Sequence, residues 1–128
     1  MKSKTLIIGA CGQIGSELTY KLRAELGANN VIASDIKPRN FDVVESGPFE
    51  IIDAKNKNQL KNCIEKYDID TVYLMAALLS ATGEKFPQKA WNLNTSSLLN
   101  ILNLAKEKYI QKVFWPSSIA VFGPSTPK

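Results

Sequence analysis

A chain of 128 residues, 45% hydrophobic and 22% charged, has the size and composition of one compact domain with an ordinary core and is too short for two. It contains no histidine, which removes Ser/His triads, Cys/His nucleophile pairs and histidine-ligated metal, and its two cysteines, Cys11 and Cys63, have no metal-ligand spacing and read as reduced thiols. The net charge of +4 comes from scattered lysines, and the densest stretch, Lys55 to Lys66, is broken by Asn, Gln, Glu and apolar residues, so it reads as a solvated helix face and not as a nucleic-acid footprint.

Met1 to Lys4 leads straight into a strand-like run without signal-peptide character. No stretch reaches the roughly 18 apolar residues of a membrane span. A soluble, cytoplasmic chain with neither a membrane nor a nucleic-acid partner is expected. Thr5-Leu6-Ile7-Ile8, closed by Gly9, reads as a strand buried on both faces. From Gln13 to Leu26 the residues Ile14, Leu18, Leu22 and Leu26 recur at helical spacing, and Gly27 stands as the stop. Asn30 to Asp35 is a second buried strand. A loop holding Pro38, Gly47 and Pro48 separates it from a third, Phe49 to Asp53.

Asn56 to Tyr67 reads as a helix with Leu60, Ile64 and Tyr67 inward, and Thr71 to Ala76 as the fourth strand. After a loop from Leu78 to Pro87, a long helix from Gln88 to Lys108 carries apolar residues on more than one face (Trp91, Leu93, Leu98, Leu99, Ile101, Leu102, Leu104). The sheet alone cannot cover them all. Gln111 to Trp115 is a fifth strand, and Pro116 to Lys128 a tail rich in Pro, Ser and Gly. Strands alternating with helices predict an α/β fold, a Rossmann-type doubly wound parallel sheet of order 3-2-1-4-5 that is truncated after strand 5. Ligands bind such sheets at the carboxyl ends of the strands, near the switch between strands 1 and 4.

The chemistry-bearing motifs all fall at that edge. In Gly9-x-x-Gly12-x-x-Gly15 the first glycine permits the turn out of the strand, the second lets the backbone approach a pyrophosphate, and the third lets helix and sheet pack closely. Amides near Gln13 and Ile14 then point at the phosphates, aided by the helix dipole. Asp35 follows Gly15 by 20 residues, the context the dinucleotide fingerprint requires. At the end of strand 2, beside Ile36, it is placed to accept hydrogen bonds from the adenosine ribose and to repel a 2′-phosphate. That favours NAD as cofactor over NADP, a preference that the nearby Lys37 and Arg39 soften. Asp53, with Ala54 beside it, ends strand 3 on the same edge, within reach of an adenine amino group. Met75-Ala76-Ala77 gives strand 4 a small-residue exit that runs close beside the cofactor. Cys11 reads as a small residue in the turn; no base flanks it to activate the thiol.

The glycine turn, Asp35, Asp53 and Pro116-Ser117-Ser118-Ile119-Ala120-Val121-Phe122-Gly123 together resemble the extended short-chain dehydrogenase/reductases, the group that includes UDP-galactose epimerase. More narrowly, Ile7 to Gly15, Leu74 to Ala81 and Phe114 to Pro124 are similar to the epimerase-type L-threonine 3-dehydrogenases. The resemblance covers essentially the whole chain. It implies that Ser118, with Ser117 as its neighbour to compare, hydrogen-bonds the reacting substrate oxygen. Ser80 then contacts an amino-acid substrate, L-threonine, and Asn92 matches an Asn of the following helix. It also implies a homodimer, and a Tyr-x-x-x-Lys pair acting as general base. None of Tyr20, Tyr67, Tyr73 and Tyr109 has a lysine four residues on. Residues 1–128 are therefore expected to be the NAD-binding domain of a longer enzyme, inactive alone. A nucleotide-sugar epimerase or dehydratase and a non-catalytic dinucleotide-binding module are the alternative readings.

Overall fold

The structure, a computed structural model, describes residues 4–75 and 87–115. Strands β1 (Lys4–Ile8), β2 (Val31–Asp35), β3 (Phe49–Ile51), β4 (Ile69–Leu74) and β5 (Lys112–Phe114) form one sheet in the order β3-β2-β1-β4-β5. Each neighbouring pair is parallel, as the alternation of elements predicts. Side chains alternate across the pleat, so β1 sends Leu6 and Ile8 to one face and Ile7 to the other. Both faces of β1 and β2 are covered, which is why these two strands read as unbroken apolar runs.

The covering helices are α1 (Gln13–Leu26), α2 (Phe41–Glu45), α3 (Lys57–Tyr67) and α4 (Pro87–Lys106). Leu60 and Ile64 of α3 and Ile101 and Leu104 of α4 join Leu6, Ile8 and Ile32 in one core cluster. Leu18 and Leu22 of α1 and Val43 of α2 pack with Ile7, Val31 and Ala33 in the other. Right-handed crossovers require this division. The chain following β1 therefore covers one face and the helix following β4 the other, which opens a crevice between their carboxyl ends.

Several boundaries differ from expectation. β3 ends at Ile51, paired with Asp35, so Asp53 does not end a strand; it stands in the turn that leads to α3. β4 runs Ile69–Leu74 and not Thr71 to Ala76, because Ile69 already pairs with Lys4. The segment read as a plain loop contains α2, capped by Asn40, whose Oδ1 accepts from Val43 N at 3.2 Å. Five residues show too little of a 3.6-residue period to be recognised.

The face of α1 is the larger correction. A strict i, i+4 row drifts by roughly 40° per step at 3.6 residues per turn, so the row from Ile14 to Leu26 winds around the helix. Ile14 and Leu26 end up exposed. The buried residues of α1 are Gly15, Ser16, Thr19 and Arg23. Arg23 is 7% exposed and meets no carboxylate among the described residues. Its guanidinium donates from Nε to Val31 O (3.3 Å), from Nη1 to Val43 O (2.7 Å) and Ser46 Oγ (2.8 Å), and from Nη2 to Pro48 O (2.7 Å). Burial pushes its pKa down.

On α4, Ile101 and Leu104 are buried while Leu99 and Leu102 stay exposed, so its apolar residues do occupy more than one face. The α3 lysines make surface ion pairs, Lys57 with Glu107, Lys61 with Glu65 and Lys66 with Glu50. Burial drives the Cys63 thiol up to about 12, which leaves it inert. Among the described residues no helix is long and apolar enough to cross a membrane.

Candidate dinucleotide site

The chain leaves β1 through Gly9, whose φ of 84° lies in the region that glycine adopts without strain. The amides of Gly9 and Ala10 both donate to Ser34 O at 2.9 Å, and Met75 N donates to Ile8 O at 2.8 Å. The turn is thus held between the ends of β2 and β4. Gly15 lies against it so closely that a Cβ there would stand 2.2 Å from Gly9 O. Here the third glycine is required by packing inside the chain.

Gly12 is different. Its φ of −73° suits any residue, and a Cβ on it would make only an ordinary 3.5 Å contact with Gly9 O. Nothing in the described fold demands glycine at this position. Gly12 is also the N-cap of α1 and supplies no side-chain cap. The helix therefore presents the uncapped amides of Gln13, Ile14 and Gly15 and its positive dipole end at the carboxyl edge of the sheet. Such an end favours anions. A backbone without side chain at that spot leaves room for a phosphate to approach.

Asp35 closes β2 beside the turn. It is 6% exposed, and its Oδ1 accepts from Ile36 N at 2.7 Å while its Oδ2 accepts from Cys11 N at 3.0 Å. Arg39 Nη2 stands 3.4 Å from Oδ2, with its own side chain 60% exposed, so this pair contributes little. A carboxylate offers about four lone-pair directions. With the exposed arginine movable, room remains for a donor from a bound sugar. Asp53 comes next along the edge: its Oδ1 accepts from Lys55 N at 3.0 Å, and its amide donates to Gln59 Oε1 at 2.8 Å. Ala54 is buried in the core, and its carbonyl accepts from Asn100 Nδ2 at 3.1 Å.

The sheet thus brings Gly9, Gly12, Gln13, Ile14, Gly15, Asp35, Ile36 and Met75 to one edge, with Asp53 and Ala54 following β3. Ile14 and Ile36 are exposed there, apolar surface next to the anion-favouring turn. Ala76, Ala77, Ser80, Ser117 and Ser118 lie outside the described residues, as does the tail, and Asn92 falls on α4. The sequence reading missed the Asp35 to Cys11 amide link and the Gln59 brace on Asp53. The first joins residues 24 apart in the chain and the second residues six apart across a turn, and neither has a signature in residue type.

A doubly wound parallel sheet with this turn, this uncapped helix start and this acid defines a Rossmann domain of the dinucleotide-binding class. The chain belongs to the NAD dependent epimerase/dehydratase family, which it matches over residues 5–128. It is 49% identical over 126 residues to an uncharacterized epimerase/dehydratase of Staphylococcus saprophyticus, covering 98% of this chain and 39% of that protein. Among solved structures it resembles a partial consensus L-threonine 3-dehydrogenase at 56% identity and a TM-score of 0.91, covering 97% of this chain and 39% of that one. An L-threonine dehydrogenase from Clostridium difficile is 53% identical with the same TM-score, covering 99% of this chain and 40% of the other. The chain spans about two fifths of the length of these relatives.

Proposed function

We propose that residues 1–128 form the NAD-binding domain of an L-threonine 3-dehydrogenase, an enzyme that oxidises the 3-hydroxyl of threonine to 2-amino-3-oxobutanoate. The observation that carries the cofactor half of this reading is Gly12: a glycine with an ordinary backbone conformation and space for a Cβ without a clash, placed at the uncapped start of α1. Its lack of a side chain serves something outside the fold. The residues present fit a dinucleotide: the amides of Gln13 and Ile14 for the pyrophosphate, Asp35 for the adenosine ribose, Asp53 for the adenine, and the Met75-Ala76-Ala77 exit for the nicotinamide half. NAD, when bound, supplies the acceptor for the hydride.

Support for the substrate half comes from the likeness to the threonine dehydrogenases and from the match of Ser80 and Ser118 to their substrate contacts. Ser118 would hold the reacting oxygen and Ser80 the amino acid. The general base is a tyrosine paired with a lysine, and residues 1–128 hold no such spacing. The chain of 128 residues by itself should therefore bind cofactor without turning it over. Leu99 and Leu102, exposed on α4, are the surface through which a homodimer of the complete enzyme would form. The setting proposed is the cytoplasm.

The deciding assay follows NADH formation by the complete protein that carries this chain, with L-threonine or a UDP-sugar as substrate. Threonine-dependent reduction is expected. Turnover of the sugar nucleotide with no reduction by threonine would assign the chain to an epimerase instead. For the cofactor half, Gly12→Ala should leave the unfolding midpoint nearly unchanged and weaken NAD binding by about tenfold or more, since a methyl group would occupy the phosphate approach. Unaltered affinity in calorimetry would remove the role given to Gly12.

A further inference from the structure

We infer that Asp35 is also a positioning residue for the phosphate-binding turn, separately from any contact its carboxylate makes to a ribose. The inference rests on the dinucleotide reading above for its ligand and on the geometry for its substance. Oδ2 takes the amide of Cys11, in the middle of the glycine turn, at 3.0 Å. Oδ1 takes the amide of Ile36, in the chain leaving β2, at 2.7 Å. One carboxylate, 24 residues from Cys11 in sequence, thus ties the glycine turn to the end of β2.

The other amides of the turn show why this tie matters. Gly9 and Ala10 donate back to Ser34 O, and Gly12 donates to Gly9 O over a longer 3.3 Å. Gln13, Ile14 and Gly15 have no cap. Between the well-held Ala10 and the open helix start, the Cys11 amide is where side-chain chemistry fixes the path of the backbone. A hydrogen bond to a charged acceptor is about twice as strong as one to a neutral acceptor. The carboxylate therefore orients the amides that follow before any ligand arrives, and pre-organisation of this kind raises affinity by lowering the ordering cost at binding.

The inference separates two effects of one residue. Alanine in place of Asp35 removes both accepting oxygens, so neither Cys11 N nor Ile36 N keeps its partner, whereas asparagine could turn its one oxygen to Cys11. In Asp35→Ala the Cys11 amide should exchange with deuterium about tenfold faster or more in the ligand-free protein, while the Leu60 and Ile101 amides, in the opposite core cluster, keep their rates. Affinity for 2′,3′-dideoxy-ADP, which has the phosphates without ribose hydroxyls, should also fall several-fold. A contact to the ribose alone would leave that ligand's affinity at the wild-type level. Should Asp35→Ala disturb the Leu60 and Ile101 amides, Asp35→Ser, polar but with its oxygen one bond too near the backbone to reach Cys11 N, makes the same comparison. Unchanged exchange at Cys11 in a folded variant overturns the inference. So does unchanged dideoxy-ADP affinity. Failure of the wild-type protein to bind ADP, dideoxy-ADP or NAD would instead sink the dinucleotide reading, and the Cys11 exchange rate then decides the positioning role by itself.

Discussion

Gly15→Ala is expected to abolish measurable NAD binding and to destabilise the fold by about 3 kcal/mol, the upper end of the usual cost of overpacking. The added Cβ would stand 2.2 Å from Gly9 O, 3.0 Å from Gly9 C and 3.1 Å from the Ala10 Cα. All three are backbone atoms of the turn. They cannot rotate aside as the end of a side chain would, because the Gly9 and Ala10 amides are bonded to Ser34 O. Relief requires moving α1 away from the sheet or opening the turn, and either displaces the amides of Gln13 and Ile14. Urea unfolding and an NAD titration check the two halves separately. A variant that binds and unfolds like the parent would mean that the turn yields far more easily than its hydrogen bonds imply. The contrast with Gly12→Ala is informative: two glycines of one motif should fail differently, one through the fold and the other through the ligand.

Arg23→Met should cost about 3 kcal/mol in the same unfolding experiment, the upper end for leaving a buried polar group unsatisfied. Methionine fills the space of the aliphatic stem but leaves the carbonyls of Val31, Val43 and Pro48 without the donor they share. Pro48 O keeps the Ala33 amide at 3.0 Å, and a buried acceptor that loses its donor altogether costs about 1–3 kcal/mol. Arg23→Lys should fall between, because an ammonium replaces the planar fork with one point of donation and cannot span three carbonyls. Gly47 belongs to the same arrangement: a Cβ there would lie 2.7 Å from the guanidinium, which is held on every side. A loss below about 1 kcal/mol for Arg23→Met would show that water reaches those carbonyls once the guanidinium is gone.

These two sites differ in how much of them can be read without coordinates. Gly9, Gly12 and Gly15 carry their meaning in their spacing, because a strand, a tight turn and a helix start occupy consecutive residues. The apolar runs at Thr5 to Ile8 and Asn30 to Asp35 likewise announce strands buried on both faces. With chain order and the handedness of crossovers, they lead to the sheet order observed. The inward face of α1 was not legible in the same way. Ile14 and Leu26 look like core residues at helical spacing, yet the drift of an i, i+4 row turns them outward and leaves Thr19 and Arg23 facing the sheet.

The amino-acid sequence by itself determined the parallel sheet, its order and the glycine turn with Asp35 at the neighbouring strand end, since each follows from local periodicity, turn chemistry and connection rules. Only the tertiary structure decided what Asp35 and Arg23 hold. Their partners, Cys11 and Ile36 for one, Val31, Val43, Ser46 and Pro48 for the other, include backbone groups scattered along the chain. Every residue carries such groups, so no residue type marks them in advance. It also separated the glycines: Gly15 is demanded by a backbone 2.2 Å from its absent Cβ, whereas Gly12 meets no such demand.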